Sequence, residues 1–191
     1  MNVPPARHAT ISTPPGPFTV VVTRHEGADV VLASGWTVDV ADLLPVVHRS
    51  LRPTWVEQAD DLPVLAAVEA FCAGDVTAID AVPVRQRSGP FLTDAWEVLR
   101  TVPPGRPDTY AEFAARCGRP SAVRAAAGAC ARNAAALFVP CHRVLATGGG
   151  LGGFRWGTPV KRWLLDHEAA HAVPDAPAAT SARDLVPVPV P

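Results

Sequence analysis

The hydrophobic pattern of the chain changes near residue 85, and this change constrains the fold more than any other feature. Val-rich runs on either side of the Glu26-Gly27 turn are typical of paired β-strands. After residue 85, apolar residues spaced three and four apart mostly predict helices. The predicted elements are strands at 18–24, 29–37 and 79–84 and helices at 41–50, 62–73, 91–101, 110–116, 121–131 and 159–170. The predicted fold class is α/β, with a small N-terminal α/β domain containing a short β-sheet and a mostly helical C-terminal domain.

Segments rich in proline and glycine set the expected domain boundaries. Residues 1–17 are rich in proline and predict a flexible lead-in. Residues 86–90 predict the linker between a domain at 18–88 and a second domain at 89–171. Residues 172–191 are rich in Pro, Ala and Val without a helical period, which predicts a disordered tail.

The formal net charge of −1 conceals an uneven distribution. Residues 1–84 carry four basic and ten acidic side chains, whereas residues 85–170 carry twelve basic and six acidic ones. This asymmetry indicates that the second half meets a polyanion such as a nucleic acid. The alternative is ordinary solvated surface charge. Because no apolar run approaches the length of a membrane span or a signal peptide, we expect a cytoplasmic protein.

The four cysteines are Cys72, Cys117, Cys130 and Cys141, and their spacing is wide and irregular. That spacing predicts neither a disulfide framework nor a zinc site, so we expect no bound metal. Cys141 differs from the others because a proline precedes it and His142 follows it. A thiol is mostly protonated at neutral pH, and an adjacent imidazole is one of the few groups that can remove its proton. The pair predicts a nucleophile, against the alternative of a buried Cys beside a surface His.

Two further segments have alternative interpretations. Residues 148–153 satisfy the GxGxxG pattern of dinucleotide-binding proteins, but no strand precedes them and no helix opens at Gly153, so a flexible wall beside a ligand fits better. The helices at 110–116 and 121–131, with Ser121 as the expected cap of the second, predict a helix-turn-helix. The second helix is Ala-rich with Arg124 at its start, which suits either a narrow minor groove or close packing in a core.

The chain resembles the O6-alkylguanine-DNA alkyltransferases over about residues 89–168. The resemblance rests on several motifs in order and spacing, namely Tyr110, Arg124 opening an Ala-rich helix, Asn133 eight residues before Cys141, the block Pro-Cys-His-Arg-Val at 140–144, the Gly-rich loop and Lys-Arg-Trp-Leu-Leu-Asp-His-Glu at 161–168. It implies a winged-helix-like C-terminal domain and irreversible, single-turnover transfer of a methyl or alkyl group from O6 of guanine, with O4 of thymine as a second candidate. It further implies a bacterial monomer without cofactors that binds duplex DNA in the minor groove and flips the damaged base.

The same resemblance assigns roles to individual residues. Cys141 is the expected nucleophile, His142 its base through a water molecule, Glu168 the carboxylate that holds the imidazole, Asn133 an orienting residue, and Tyr110 the proton donor to the leaving base. The expected DNA-binding residues are Tyr110, Arg124, Ala125, Ala127 and Arg132. The expected pocket residues are Cys130, Val144, Phe154 and Arg155. Glu168 is also supported by its position at the edge of the inward face of the last helix, four residues after Leu164.

Two departures from the family pattern leave alternatives open. Ala134 follows Asn133 where relatives usually carry proline, and Cys130 stands where some relatives carry a larger apolar residue. One alternative function is a sensor or regulator of the same fold that binds alkylated DNA without repairing it. A second is a cysteine hydrolase that uses Cys141 and His142.

Overall fold

The computed structural model of the chain describes residues 5–172. Most of the predicted tail at 172–191 therefore lies outside the described residues, as do residues 1–4 of the predicted lead-in. Within the described part, no helix is long and apolar enough to cross a membrane.

A four-stranded sheet of order β3-β2-β1-β4 forms the N-terminal part of the molecule. Strands β1 (Ala6–Thr13), β2 (Gly16–His25) and β3 (Ala28–Gly35) pair antiparallel, and the short β4 (Val56–Gln58) pairs parallel to β1. The prediction that residues 1–17 form a flexible lead-in is therefore wrong for 6–13. The prolines that suggested it lie before β1, in the turn after it, and at Pro17 near the start of β2, so 6–13 itself keeps every backbone N–H needed for pairing.

Both faces of this sheet are buried. Phe18, Val20 and Val22 of β2 face a core that continues into the C-terminal helices, while Val21 and neighbouring strands face a smaller core under residues 40–51. Those residues form two 3₁₀ turns, Val40–Asp42 and Leu44–Val46, rather than the predicted helix. Pro45 inside the segment disfavours a regular helix.

Helix α1 (Val64–Cys72) confirms the prediction at 62–73, but the strand predicted at 79–84 is absent. Residues 75–82 form successive turns, and only Val84 bridges to β3. Val31 N–H donates to the Pro83 carbonyl and Arg85 N–H donates back to the Val31 carbonyl, both at 2.8 Å. Pro83 itself has no N–H, so the ladder does not extend.

The C-terminal part contains the predicted helices with small changes at their ends. They are α2 (Pro90–Leu99), α3 (Tyr110–Arg116), α4 (Val123–Ala131) and α5 (Thr158–His171). Ser121 does not cap α4, whose N-cap is Ala122 without a side-chain bond. A short parallel pair, β5 (Asp108–Thr109) with β6 (Val144–Leu145), was not predicted, and it places the start of α3 beside the segment that follows Cys141.

The two halves share one core and several hydrogen bonds. Ser34 N–H on β3 donates to the Ala134 carbonyl at 2.9 Å, and Ser34 Oγ donates to the Ala136 carbonyl at 2.8 Å. Trp96 Nε1 on α2 donates to the Ala129 carbonyl at 2.9 Å, which fixes α4 against α2. These bonds hold residues 129–136, directly upstream of Cys141, between the sheet and α2.

Candidate active site

Cys141 lies at the start of the 3₁₀ turn Cys141–Arg143 and lines a cavity of about 330 Å³. Cys141 is 8% exposed, so it is nearly buried although it lines the cavity. The cavity is lined by Tyr110, Ala127, Cys130, Ala131, Asn133, Ala136, Cys141, Gly153, Phe154, Arg155 and Trp156. Cys141 is buried, as the alternative interpretation expects, but His142 is fully buried rather than on the surface.

Asn133 contacts the sulfur directly. Its Nδ2 donates to Cys141 Sγ at 3.2 Å and to the Val139 carbonyl at 2.7 Å, and its Oδ1 accepts from Ala135 N–H at 3.0 Å. Burial raises the pKa of the Cys141 thiol, while the bond from Asn133 and the nearby cations Lys161 and Arg155 oppose that rise. The resting thiol is therefore protonated at neutral pH and needs a base before it can react.

A buried trio of His142, Arg143 and Glu168 lies beside Cys141. His142 Nε2 lies 2.8 Å from Glu168 Oε1, and Arg143 donates to the same carboxylate from Nε at 3.0 and 3.1 Å and from Nη2 at 2.9 Å. Arg143 Nη1 also donates to the Val102 carbonyl at 2.7 Å. All three side chains are at most 1% exposed, so the positive charge of Arg143 has the carboxylate of Glu168 as its counter-ion rather than solvent.

The electrostatics of the trio favour a neutral imidazole beside an ionised carboxylate. Burial raises the pKa of Glu168, but the charges and hydrogen bonds of His142 and Arg143 outweigh it and lower the pKa to about 2. Burial lowers the pKa of His142, with Glu168 opposing. Since a carboxylate only accepts, His142 donates from Nε2, and its Nδ1 keeps a lone pair. Nδ1 is buried and has no hydrogen-bond partner among residues 5–172.

Lys161 is a second buried cation that was not predicted as part of the site. It is fully buried on α5, and its Nζ donates to the Val144 carbonyl at 2.7 Å. Burial lowers the pKa of Lys161, opposed by Cys141 and Cys130. Arg143 and Lys161 are thus two of the twelve basic residues of the second half that do not contribute to its exposed surface charge.

Tyr110 begins α3 at the rim of the cavity. Thr109 and Glu112 form a capping box that fixes this helix start. Burial raises the pKa of the Tyr110 hydroxyl, and Cys130 and Cys141 raise it further, so the hydroxyl keeps its proton. Gly152, at a φ of 66°, brings the Gly-rich loop against Tyr110, where an added Cβ would lie 3.3 Å from its oxygen.

Of the residues expected to form the pocket, Cys130, Phe154 and Arg155 line the cavity and Val144 does not. Val144 is fully buried because β6 pairs with β5, and only its carbonyl serves the site through Lys161. Burial raises the pKa of the Cys130 thiol strongly, so Cys130 is an uncharged part of the cavity lining at neutral pH. Trp156, which was not predicted as lining, lies so close to β3 that a Cβ on Gly35 would overlap its ring.

Apart from Tyr110 on α3, the residues predicted to bind DNA lie on helix α4 and at its end. Arg124 and Arg132 are exposed, Ala125 and Ala127 are half-buried, and Ala127 also lines the cavity. Arg155 Nη2 donates to the Ala131 carbonyl at 3.1 Å and ties the loop after β6 to this helix. Fold and site together define a class of protein in which a cysteine, followed by a buried His–Glu–Arg trio, lines a cavity beside an arginine-bearing helix.

Comparisons with known proteins identify the family. The model of the "6-O-methylguanine DNA methyltransferase, DNA binding domain" matches residues 90–170. The methylated-DNA–protein-cysteine methyltransferase of Shigella flexneri is 30% identical over 83% of this chain and 92% of its own length. The chain belongs to the O6-methylguanine-DNA methyltransferase family.

Solved structures agree in fold. The crystal structure of Mycobacterium tuberculosis O6-methylguanine methyltransferase has a TM-score of 0.69 and 28% identity, covering 89% of this chain and 96% of that chain. The structure of Mycobacterium tuberculosis OGT in complex with DNA has a TM-score of 0.65 and 28% identity, covering 88% and 94%.

Proposed function

We propose that this chain repairs DNA by irreversible transfer of a methyl or other alkyl group from O6 of guanine in duplex DNA to its own Cys141. It is then a single-turnover methylated-DNA–protein-cysteine S-methyltransferase. The observation that carries the proposal is the position of Cys141, which lines the cavity and whose Sγ accepts a hydrogen bond from Asn133. Family membership supplies the reaction class, which is DNA repair by alkyl transfer.

The proposed chemistry begins with proton removal. His142 accepts the thiol proton through a bridging water at Nδ1, and the ionised Glu168 stabilises the imidazolium that forms. The Cys141 thiolate attacks the alkyl carbon in line, so a C–S bond forms as the C–O6 bond breaks. The bond electrons go to guanine, which takes a proton from the Tyr110 hydroxyl. The His142 imidazolium then releases its proton to solvent and Tyr110 takes one up from solvent, so no oxidant or cofactor is needed.

The proposed DNA interface uses α3, the turn at 117–122 and α4 as a helix-turn-helix. The small side chains of α4 allow close approach to the minor groove, and Arg124 fills the stack when the damaged base is flipped into the cavity. Tyr110, Ala125, Ala127 and Arg132 contact the nucleotides around the flipped base. The cavity borders α4 directly through Ala127, so a base that leaves the duplex beside this helix has a short path to Cys141.

Mass spectrometry tests this proposal. The protein is incubated with duplexes carrying O6-methylguanine or O4-methylthymine and then digested. We expect one added methylene mass on the peptide that contains Cys141. Cys72→Ala, on α1 outside the site, is the matched control and keeps transfer, whereas Cys141→Ala abolishes transfer but still binds DNA. Binding without modification of the wild type would instead support the sensor, and multiple turnover of an ester would support the hydrolase.

A further inference from the structure

The turn between α4 and Cys141 carries an unusual pair of side-chain amides. Gln86, in the segment before α2, lies beside Asn133, and its Nε2 donates to Asn133 Oδ1 at 3.1 Å. Its Oε1 accepts from the N–H of Ala134 at 2.7 Å. Ala134 is 3% exposed, so Gln86 provides a partner for a backbone N–H that has almost no access to water.

These bonds determine which way both amides point. A backbone N–H can only donate, so the Ala134 N–H requires the oxygen of Gln86 on its side. The nitrogen of Gln86 must then face Asn133, and this requires the oxygen of Asn133 to face Gln86 and the Ala135 N–H. The nitrogen of Asn133 is left to face the Val139 carbonyl and the Cys141 sulfur.

Gln86 is itself anchored to the N-terminal sheet. The preceding residue, Arg85, donates its N–H to the Val31 carbonyl of β3 at 2.8 Å. Three residues further along the same strand, Ser34 binds the carbonyls of Ala134 and Ala136. One strand therefore holds both the residue that orients Asn133 and the turn that carries Asn133.

We propose that Gln86 is a positioning residue for the nucleophile, which keeps the N–H side of the Asn133 amide, rather than its oxygen, directed at Cys141 Sγ. This inference rests on the proposed role of Cys141 as the alkyl acceptor, and it gives the N-terminal sheet a part in that reaction. An N–H donor stabilises the thiolate more than the thiol, whereas an oxygen in its place does the reverse.

Other groups that face the sulfur come from different elements. Lys161 on α5 and the loop residue Arg155 favour the thiolate, whereas Tyr110 on α3 and Cys130 on α4 are neutral at pH 7. None of these four side chains takes part in the hydrogen bonds of Gln86 and Asn133. A change at Gln86 can therefore alter the Asn133 bond while these groups stay in place.

Two substitutions separate orientation from structural support. Gln86→Glu keeps an acceptor for Ala134 N–H but places a carboxylate oxygen against Asn133 Oδ1, which disfavours the native orientation of Asn133. Gln86→Leu removes both bonds and leaves Ala134 N–H unpaired, so Asn133 is held less firmly, although Ala135 N–H and the Val139 carbonyl still favour its native orientation. We expect Gln86→Leu to lower the melting temperature more, and Gln86→Glu to lower the rate of alkylation of the Cys141 thiol more.

The assay measures carbamidomethylation of Cys141 by iodoacetamide, without DNA, from pH 6 to 9 at a temperature where every variant is folded. At neutral pH we expect Gln86→Glu to slow the reaction about 10-fold and Gln86→Leu about 3-fold. In both variants the curve of rate against pH should be displaced to higher pH. Gln58→Glu and Gln58→Leu on the exposed end of β4 are the matched controls. The same order should appear in the rates of methyl transfer from an O6-methylguanine duplex.

Each outcome has a distinct meaning. A wild-type pH profile for Gln86→Glu overturns the inference, and so does a reactivity order that follows the melting temperatures. If iodoacetamide shows the expected order but the wild type accepts no methyl group from DNA, the proposed function fails while the positioning role stands.

Discussion

The substitution Glu168→Gln tests the buried trio, because it removes one charge and changes side-chain size very little. Glu168 accepts from His142 and takes three contacts within 3.1 Å from Arg143. Glutamine keeps one acceptor oxygen and places an NH₂ group against the guanidinium, which leaves Arg143 as a buried cation without a counter-ion. Loss of one partner of a buried ion pair costs about 3–5 kcal/mol, and we expect the free energy of unfolding at pH 7 to fall by that amount.

The pKa of Glu168 provides a second estimate of the same quantity. Lowering it from 4.5 to about 2 corresponds to about 3 kcal/mol of stability. Because the folded pKa is depressed, this stability is fully present above pH 4.5 and is lost as the pH falls toward 2. The lowered pKa of His142 acts in the same direction, since the unfolded imidazole takes up a proton below about pH 6.5 that the folded one resists.

Urea unfolding followed by tryptophan fluorescence and circular dichroism, from pH 8 to pH 3, measures both effects. The wild type should lose stability steeply below pH 4.5, whereas Glu168→Gln should start lower and lose less in that range. Glu97→Gln, an exposed change on α2, should leave the wild-type curve unchanged. Adding Arg143→Met to Glu168→Gln should restore part of the loss because it removes the unpaired cation. A Glu168→Gln curve that runs parallel to the wild type at all pH values would refute this account.

Four further predictions concern the reaction and DNA binding. Tyr110→Phe should slow methyl transfer from bound duplex about 100-fold, measured by single-turnover quenching at saturating protein; an unchanged rate removes Tyr110 as the acid. Lys161→Met should move the pH profile of Cys141 upward, because Lys161 lowers the pKa of the thiol, and a fixed profile contradicts this. Arg124→Ala should slow repair of duplex more than reaction with free O6-methylguanine, with Arg49→Ala as the control; equal slowing argues against stack filling. Duplex affinity measured by anisotropy should fall linearly with salt on logarithmic axes, and a flat line contradicts the charge argument.

The predictable part of the fold is the part whose signals are local. Helix α5 begins within a residue of its predicted start because Pro159 marks the first turn and Val160 and Leu164 repeat at helical spacing. Strand β1 was missed because prolines on both sides suggested irregular structure, although 6–13 itself contains none. The strand predicted at 79–84 has suitable residue types, but Pro83 limits its pairing to a single bridge. Composition over a short window cannot distinguish these cases.

The site was predictable where a motif and a helical face coincide. Cys141 and His142 lie in a short motif, and Glu168 lies on the inward face of α5. Arg143 and Lys161 were missed because arginine and lysine are almost never fully buried unless they are paired. A signal was available, since Lys161 and Glu168 are seven residues apart and so share one face of the helix.

The contacts that hold the turn before Cys141 could not be read from the sequence. Gln86 lies 47 residues before Asn133, and Ser34 lies 102 residues before Ala136. Neither pair has a periodic or motif signal, because a side chain that satisfies a buried backbone group can come from any segment that the fold brings nearby. The requirement itself is general, since residues 133–141 are buried and their polar groups need partners. The sheet that supplies some of those partners is the part of the chain with the fewest recognisable motifs, so its contribution to the nucleophile becomes visible only in three dimensions.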